Sequence, residues 1–513
     1  MAHLSINPAG REPRQPRARA LARGALRSVP SLASAEPADG SCGHKRPLVV
    51  DLDGTLVRSD LLIERAFAEL GRRPQSLLEM LSALTQGKAA LKHRLADPSD
   101  FDPALLPYDN EVLACIRQAQ AEERPVYLAS ASNKHLVSAI AEHLGLFNGW
   151  FASDETTNLS GAPKAQRLVD AFGERGFDYI GNDKADLLVW ARAAKAIAIR
   201  APAGVARRLA GIAPEVESLP CPRPTLRTWA KLLRVHQYAK NALVFVPLLT
   251  AHLFEMGAAR QALLAAIAFC LCASSVYILN DLVDLQEDRK HRSKCHRPLA
   301  SGAIPVLHGM LATPLLLALS VLVAATVSLP FLGVLLGYFA LTTAYSFILK
   351  RKMLIDVLTL ATLYTVRVIG GAVAIDVVVS KWLLAFCMCA FMSLALIKRY
   401  IELAARLDAN MPAPANRDYR TDDLGIVAAL AGAAGFNAVT VFALYISSDA
   451  IHQLYSRAEI LWLVCPVLMY WIGRALMLAH RRAMDDDPVV FALKDRGSLL
   501  TIGTAILLIV AAI

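Results

Sequence analysis

Closely spaced cysteine pairs of the metal-binding kind are missing from this chain. Its nine cysteines are scattered over 513 residues, and none has a C-x-x-C partner. This argues against a zinc ribbon, a thioredoxin-like redox centre or a disulfide framework. Cys270 with Cys272, and Cys387 with Cys389, lie inside apolar segments, where cysteine acts as a small hydrophobic residue.

An apolar run is missing from residues 1–44. This stretch is rich in Arg, Ala, Pro and Ser, so it does not have the composition of a secretory signal peptide. We expect a disordered basic tail here, and the composition assigns it no function.

Apolar residues are abundant but unevenly distributed. They make up 55% of the chain, which exceeds the average of soluble proteins. Composition is ordinary before about Trp229, whereas apolar blocks follow one another after Lys240. We expect a soluble half followed by a bundle of about nine membrane spans, at 240–254, 264–279, 310–327, 331–348, 354–374, 382–397, 426–446, 460–478 and 499–513.

Basic residues are scarce in every second loop of that bundle. The loops that lack them hold 3 Lys and Arg in total, and the loops between them hold 17. The poor loops are 255–260, 328–330, 375–381 and 447–459, and the rich loops are 281–305, 350–353, 398–425 and 479–498. Because basic loops remain cytoplasmic, we expect a protein of the bacterial inner membrane with its soluble half and the loop 281–305 in the cytoplasm.

Acidic residues begin where the second apolar segment ends. On a helix, Asn280, Asp281, Asp284 and Asp288 fall within one arc of about 100°. Three carboxylates that face one way repel each other unless a divalent cation joins them, and Mg²⁺ prefers one or two carboxylates with water and substrate phosphates. The cations that follow would grip phosphate oxygens; they are Arg289, Lys294 and Arg297.

The spacing NDxxDxxxD resembles the first aspartate-rich motif of the UbiA superfamily of intramembrane prenyltransferases. Its continuation through His291 to Gly302 is similar to one branch, the decaprenyl-phosphate phosphoribosyltransferases of arabinan synthesis. The resemblance implies an all-α membrane bundle, with Asp281, Asp284 and Asp288 as Mg²⁺ ligands and catalytic residues. It also implies a polyprenyl lipid and a phosphorylated sugar as substrates, with Asn280, Arg289, His291, Lys294 and Arg297 as substrate-binding residues.

Other polar residues of the membrane half are candidates for the same site. Arg234, His236, Gln237, Lys240 and Asn241 precede the first span and resemble the basic entry segment of that branch, although Arg234 and Lys240 could equally be positive-inside anchors. An arginine inside a span needs an anionic partner. The candidates deeper in the bundle or at its cytoplasmic end are Tyr345, Lys350 and Arg367.

Two later segments give weaker signals. Asp418 and Asp422 could stand in for the second aspartate motif of aromatic prenyltransferases. The segment 486–496 resembles the phosphoribosyltransferase branch, but its charges could equally belong to a solvated loop.

The soluble half begins with a second chemical motif. Residues 48–50 predict a short buried strand, and Asp51-Leu-Asp53-Gly-Thr55 follows at its carboxyl end, where open α/β sheets bind ligands. Alternate residues diverge as a strand ends, so one carboxylate could meet a phosphorus atom while the other reaches the leaving oxygen. This run resembles motif I of the haloacid dehalogenase phosphohydrolases. The resemblance implies Asp51 as nucleophile, Asp53 as general acid and base, and Mg²⁺ bound near both.

Further motifs of that family follow in order. Ser130 ends a predicted strand as motif II requires, and Lys164 matches the motif III cation. The run 178–186 is similar to motif IV, which carries Mg²⁺, but Asn182 stands directly after Gly181, where the family often has Asp. Coordination then shifts to Asp183 and Asp186, or metal affinity falls.

The resulting arrangement has four parts: the tail 1–44, an α/β haloacid dehalogenase-like hydrolase at 45–215 with a small helical cap at about 60–120, a linker at 216–239, and a UbiA-like bundle at 240–513. The favoured function is Mg²⁺-dependent transfer of phosphoribose from phosphoribosyl diphosphate to a polyprenyl phosphate, followed by dephosphorylation of the lipid by the hydrolase. Two alternatives stay open: prenyl transfer to an aromatic acceptor, and a soluble half that only binds. We expect no nucleic-acid partner, and the sequence leaves the oligomeric state undetermined.

Overall fold

The computed structural model of the chain describes residues 45–513 except 74, 88–90, 92–93, 96–100, 155–157, 292, 410–416, 450, 452–453, 485–487 and 493. The tail expected at 1–44 lies outside the described residues, as do the first residues of the segment 486–496.

A six-stranded parallel sheet organises the soluble half. The strands β1 to β6 are Leu48–Asp51, Val126–Asn133, Gly149–Ser153, Asp178–Gly181, Lys195–Ala198 and Glu215–Ser218. Their spatial order is β3-β2-β1-β4-β5-β6, and all neighbours run parallel. The strand order reverses between β1 and β4, so the carboxyl end of β1 lies at the crevice where such sheets bind ligands.

Both faces of this sheet are covered, which explains its apolar strands. Leu48 and Val50 of β1 belong to one core, whereas Val49 belongs to the core on the opposite face. Alternate side chains of one strand therefore supply both cores. The α/β fold expected of this half is confirmed.

Between β1 and β2, the described residues form three α-helices: α1 (Leu61–Arg72), α2 (Ser76–Thr85) and α3 (Asn110–Ala121). The side chain of Asp60 accepts from the Ile63 N–H at the start of α1, and that of Asp109 accepts from the N–H groups of Glu111 and Val112 at the start of α3. Such caps satisfy amides that a helix leaves unpaired. The remaining helices of the soluble half are α4 (Lys134–Leu144), α5 (Ala162–Phe172), α6 (Leu187–Trp190) and α7 (Ala203–Ile212).

Long apolar helices make up the membrane half. The short helices are α8 (Leu226–Leu232), α9 (Val246–Thr250), α11 (Leu285–Lys290) and α18 (Pro488–Ala492). The longer helices are α10 (Met256–Val283), α12 (Val306–Val327), α13 (Leu329–Phe347), α14 (Ile355–Ala374), α15 (Lys381–Asp408), α16 (Leu424–Ile446), α17 (Val464–His480) and α19 (Arg496–Ala512). In the described part of the chain, seven helices are long and apolar enough to cross a membrane, and α19 is a shorter apolar helix. The end of the bundle with the Lys- and Arg-rich loops is called the basic side below.

The first predicted span, 240–254, is not a single long helix. It consists of the end of a 3-10 helix, Val235–Phe245, and the short helix α9. At about 2.0 Å per residue in the 3-10 part and 1.5 Å in the α part, the whole stretch 235–250 extends roughly 30 Å. Its polar residues face inward: the amide of Asn241 donates to Cys270 Sγ at 3.1 Å.

Helix α1 joins the two halves. Ile63 and Phe67 pack against a buried cluster that includes Leu282, Leu285 and Leu299 of the membrane half. Near the end of α1, Gly71 O accepts from Arg351 at 3.2 Å. Helix α1, which follows the run Asp51-Leu-Asp53-Gly-Thr55, is therefore packed against the acidic end of α10.

Candidate functional site

The first candidate site lies at the basic end of α10. The helix ends at Val283, and Asp284 separates it from α11 with φ −91° and ψ 13°. Asp281 and Asp288 are 2% and 3% exposed. Both converge on Arg297, whose Nη1 donates to Asp281 Oδ1 at 3.0 Å and to Asp288 Oδ2 at 2.5 Å. Asp284 accepts instead from Lys350 Nζ at 3.2 Å, because the break in the helix interrupts the common arc.

This donor set fits one Mg²⁺ ion. Asp281 and Asp288 already hold one positively charged nitrogen between them, and Mg²⁺ commonly keeps one or two carboxylates and completes its shell with water and phosphate oxygens. Among the residues that the structure describes, no group of three or more His, Cys, Asp or Glu side chains is placed to hold a metal. A metal here would therefore depend on substrate and water for its other ligands.

Several cations surround the two carboxylates. Arg234 also forms an ion pair with Asp281, and its guanidinium stacks on the ring of Tyr277 at 5.0 Å. Burial raises the pKa of Asp288 to about 6, although Arg297 opposes that rise. The site therefore combines two carboxylates with guanidinium and ammonium groups that can bind phosphate oxygens.

Other predicted ligands lie at the edge of this cluster. His291 and Lys294 are exposed on the loop after α11, and His291 Nδ1 is 3.2 Å from Ser293 Oγ. Asn280 is half-buried on the last turn of α10. Tyr345 is partly buried in the bundle and hydrogen-bonds to Arg417.

Arg289, which we predicted to hold phosphate, is occupied by protein acceptors. Its Nη1 and Nη2 donate to the two carboxylate oxygens of Glu64 at 2.9 and 2.5 Å, and its Nε donates to Ala300 O at 3.0 Å. Glu64 and Arg289 are 3% and 8% exposed. The arginine next to Asp288 thus binds α1 of the soluble half. No local pattern signals Glu64, since its partner lies 225 residues away.

Arg367 lies deeper in the bundle, among neutral acceptors. It donates to Asn241 Oδ1 at 2.8 Å, Tyr338 Oη at 2.7 Å and Leu363 O at 2.6 Å. Lys240 is close by, 5.9 Å from the centre of the Tyr364 ring. The hydrogen bonds satisfy the guanidinium of Arg367 without neutralising it, so this wall of the bundle is positively charged.

The weak second aspartate motif is not directed toward the bundle. Asp418 and Asp422 are exposed, whereas Arg417 and Tyr419 face inward. Tyr419 Oη donates to Asp356 at 2.6 Å, and Arg399 donates to the same carboxylate at 2.7 Å. Sequence reasoning missed Asp356. A carboxylate two positions after the predicted start of a span, beside the basic loop 350–353, was the available signal.

The segment 486–496 contributes a structural contact in its described part. Asp495 pairs with Arg474 and accepts from the Ser498 N–H at 2.7 Å, which begins α19. These bonds account for Asp495 as the N-cap residue of α19.

The second candidate site lies at the carboxyl end of β1. Lys164 Nζ donates to Asp51 Oδ1 at 2.7 Å, and Thr55 Oγ1 donates to Asp51 Oδ2 at 3.1 Å. Asp53 accepts from Ser130 at 3.2 Å and from Ser132 at 2.6 Å. The four predicted residues Asp51, Asp53, Ser130 and Lys164 therefore lie together, as parallel strand ends require.

Burial raises the pKa of Asp51 to about 7, while the ion pair with Lys164 opposes that rise. Although burial alone lowers the pKa of Lys164, Asp51 and Asp186 raise it above its ordinary value. Lys164 therefore stays charged at neutral pH, and a phosphoryl group that enters would meet a positive group beside the nucleophile.

Asn182 faces this site and Asp183 does not. Thr55 Oγ1 is 3.2 Å from Asn182 Oδ1, whereas Asp183 is exposed and accepts from the Lys184 N–H at 2.6 Å. Asp186 is buried and accepts from Tyr179 Oη at 2.8 Å. A metal near Asp51 would thus meet an amide oxygen where the family often offers a carboxylate. This arrangement does not favour Asp183 as a ligand.

Residues 243–494 match the UbiA prenyltransferase family. The membrane half of the chain belongs to this family. It is 35% identical to y4nM, an uncharacterized protein of Sinorhizobium fredii, over 89% of each chain. It is also 35% identical to nodulation protein NoeC of Azorhizobium caulinodans, over 54% of this chain and 90% of that protein. A decaprenyl-phosphate phosphoribosyltransferase of Mycobacterium tuberculosis is 34% identical over 34% of this UbiA-family chain and 59% of its own length.

Solved structures resemble both halves. A UbiA homolog from Archaeoglobus fulgidus bound to GPP and Mg²⁺ aligns with 55% of the chain at 16% identity and a TM-score of 0.44. A phospho-aspartyl intermediate analogue of phosphoserine phosphatase aligns with 34% of it at 17% identity and a TM-score of 0.24.

Proposed function

We propose that the membrane half transfers a phosphoribosyl group from phosphoribosyl diphosphate to a polyprenyl phosphate, and that the soluble half then removes the 5-phosphate from the lipid product. The observation that carries this proposal is the convergence of Asp281 and Asp288 on one cation within a ring of basic side chains. The similarity to decaprenyl-phosphate phosphoribosyltransferases supports it.

The transfer step breaks the bond between C1 of the ribose and the diphosphate oxygen. Mg²⁺ would supply charge neutralisation for the leaving diphosphate. Arg234, Arg297 and Lys350 hold the diphosphate oxygens by charge-assisted hydrogen bonds. An oxygen of the polyprenyl phosphate then forms the new bond to C1, so both substrates present anionic groups to the same basic cavity.

The exposure of Asp418 and Asp422 favours this reaction over prenyl transfer to an aromatic acceptor, for which we expected a second acidic pair. Around Asp281 and Asp288 the site presents the guanidinium groups of Arg234 and Arg297. The exposed Asp418 and Asp422 do not supply a second acidic pair. A phosphate-bearing acceptor suits this arrangement, because charge complementarity excludes wrong partners.

The hydrolysis step uses the second site. Asp51 attacks the phosphorus of the 5-phosphate, and the bond from phosphorus to the ribose oxygen breaks. Asp53 gives that oxygen a proton and then takes one from the water that hydrolyses the aspartyl phosphate. Lys164, Ser130 and Thr55 hold the phosphoryl group and the nucleophile in place.

The two sites share one side of the membrane in this proposal. Helix α1 packs against the acidic end of α10, and the Lys- and Arg-rich loops indicate that this side is cytoplasmic. Tethering gives the hydrolase a high effective concentration of the lipid product.

Changing Asp281 to Asn tests the membrane site. The variant should lose transfer by about a hundredfold or more, because one charge-stabilising ligand of the diphosphate is gone. The assay follows labelled phosphoribosyl diphosphate into lipid, with Mg²⁺ and polyprenyl phosphate in detergent. Asp418→Asn, on the exposed loop, is the control and should be fully active. Full activity of Asp281→Asn would disprove the assignment of this site.

Changing Asp51 to Asn tests the soluble site. Transfer should continue, and a phosphorylated lipid should accumulate because the nucleophile is lost. Mass spectrometry of the lipid fraction distinguishes the phosphorylated from the dephosphorylated product. A product identical in mass to that of the wild type would rule out hydrolysis by this half.

A further inference from the structure

The helix α2 presents an exposed apolar face that the two sites do not use. Met80 and Ala83 are buried. Four leucines lie on the neighbouring arc, which spans about 120° at 100° per residue. Their exposed fractions are 46% for Leu77, 74% for Leu78, 51% for Leu81 and 47% for Leu84. Contiguous exposed apolar surface on a soluble part usually marks an interaction site.

The charged residue of α2 lies on the other side of the helix, whereas the exposed Thr85 falls inside the leucine arc. Glu79 is outside the leucine arc and forms an ion pair with Arg94. Arg73, which is exposed, precedes the helix. An apolar stripe beside a polar face, flanked by a basic residue, is the pattern of helices that lie in the surface of an anionic membrane.

The position of α2 brings this face to the edge of the bundle. A Cβ atom on Gly71 would lie 2.5 Å from Val283, the last residue of α10. Arg351, which donates to Gly71 O, lies on a loop whose Ile348 and Met353 are 53% and 51% exposed. Since a residue advances the chain by at most about 3.6 Å, α2 begins within roughly 18 Å of this apolar rim.

We infer that the leucine face of α2 docks into the lipid surface on the basic side of the bundle. Gly71 at the end of α1 contacts the edge of the bundle at Val283 and Arg351, and α2 begins shortly after it. The lipid surface beside this edge is therefore the apolar partner nearest to the four leucines. A cap helix held in the membrane surface opens the hydrolase site toward phosphate esters carried by lipids and away from soluble sugar phosphates. This substrate class rests on the proposed function.

Photo-crosslinking in a bilayer tests the docking. The full chain is placed in nanodiscs of phosphatidylethanolamine and phosphatidylglycerol with p-benzoylphenylalanine at position 78. Lipid adducts, read by mass spectrometry, should be about tenfold more abundant than with the same group at position 212, since only the former enters the interface. Ile212 is a suitable control because it is 42% exposed on α7. Equal lipid yields at both positions overturn the inference, as does a crosslink from 78 to a second copy of the chain or to another protein.

A second measurement tests the substrate class. Leu78→Ser with Leu81→Ser should lower hydrolysis of the lipid product about tenfold, since the site no longer meets a concentrated membrane-bound substrate. Hydrolysis of p-nitrophenyl phosphate should stay unchanged, and Ile212→Ser should affect neither. Equal loss with both substrates overturns the substrate class. If wild type crosslinks to lipid but leaves the phosphorylated lipid intact, the proposed function fails while the docking surface stands.

Discussion

At the scale of residues, charged side chains that are far apart in sequence hold the first turn of the hydrolase site. Asp109 is 1% exposed and accepts from Arg58 Nε at 2.9 Å and from Arg200. Arg200 also donates to Gly54 O and Thr55 O at 2.8 Å. Although burial alone raises the pKa of Asp109, the two arginines lower it below its ordinary value.

This pairing predicts a pH-dependent loss of stability in Asp109→Asn. A carboxyl whose pKa is lower in the folded state contributes stability above its unfolded pKa of about 3.9, and loses it as pH falls through the folded value. The variant should therefore melt at a lower temperature than wild type at pH 7, and the gap should narrow below about pH 4. Thermal melts of the protein in detergent across this range measure it. Asp102→Asn, at an exposed position, should show a much smaller gap at every pH.

Residue types and spacing predicted part of both sites. The DxDGT run and Ser130 at a strand end predicted that Asp51, Asp53 and Ser130 lie together, because parallel strands bring their carboxyl ends to one edge of the sheet. The spacing of Asp281 and Asp288 predicted their convergence. The contacts of Asp284 and Arg289 differ from those expected, because a helix break separates Asp284 from the pair and Arg289 binds Glu64 on α1. Neither the helix break nor the distant partner can be recognised from a local sequence pattern.

At the scale of elements, the turn after α11 is fixed by a glycine. Gly302 has φ +68°, and a Cβ atom there would lie 2.5 Å from Arg58 Cβ and 3.0 Å from Arg58 O. This turn of the membrane half therefore fits directly against the first motif loop of the soluble half.

Gly302→Ala should weaken that fit. The left-handed conformation costs an L-residue about 1–2 kcal/mol, and the contact with Arg58 adds to it. We expect faster hydrogen exchange in the loop 52–60, measured by mass spectrometry. Gly257→Ala provides the control because open space surrounds that position. Unchanged exchange in the Gly302 variant would contradict the described fit.

The observed helices match the predicted spans where an apolar run is also long enough to cross a membrane. The apolar blocks after residue 260 became helices, because a run of about 20 apolar residues must satisfy its backbone internally in lipid. The block 240–254 became a 3-10 helix and a short α-helix, with Lys240 and Asn241 buried. The inward burial of those two polar residues depends on neighbouring helices, which hydropathy does not describe.

At the scale of the whole molecule, one ion pair joins the two halves beside the acidic motif. Removing one partner of a buried pair costs about 3–5 kcal/mol, whereas replacing both with apolar residues is often close to neutral. Glu64→Gln should therefore loosen α1 from the membrane half, and Glu64→Leu with Arg289→Leu should restore the contact.

Hydrogen exchange of residues 61–72 in the two variants measures this contact. The single variant should exchange faster than wild type, and the double variant should approach wild type. Glu69→Gln, half-buried on the same helix, serves as the control. If residues 61–72 exchange as fast in the double variant as in the single variant, apolar packing cannot replace the ion pair, which contradicts the expectation.

Arg297 gives the acidic pair a resident counter-ion. A metal held by Asp281 and Asp288 would compete with Arg297 for both carboxylates and with Arg234 for Asp281. The affinity for the metal would then depend on how much more strongly the two carboxylates bind the metal than they bind the guanidinium of Arg297. The guanidinium of Arg297 would remain near the site on its own loop, where it could bind the incoming phosphates. Under the proposed function, entry of the substrate would be an exchange of partners among charged groups that the folded chain already pairs.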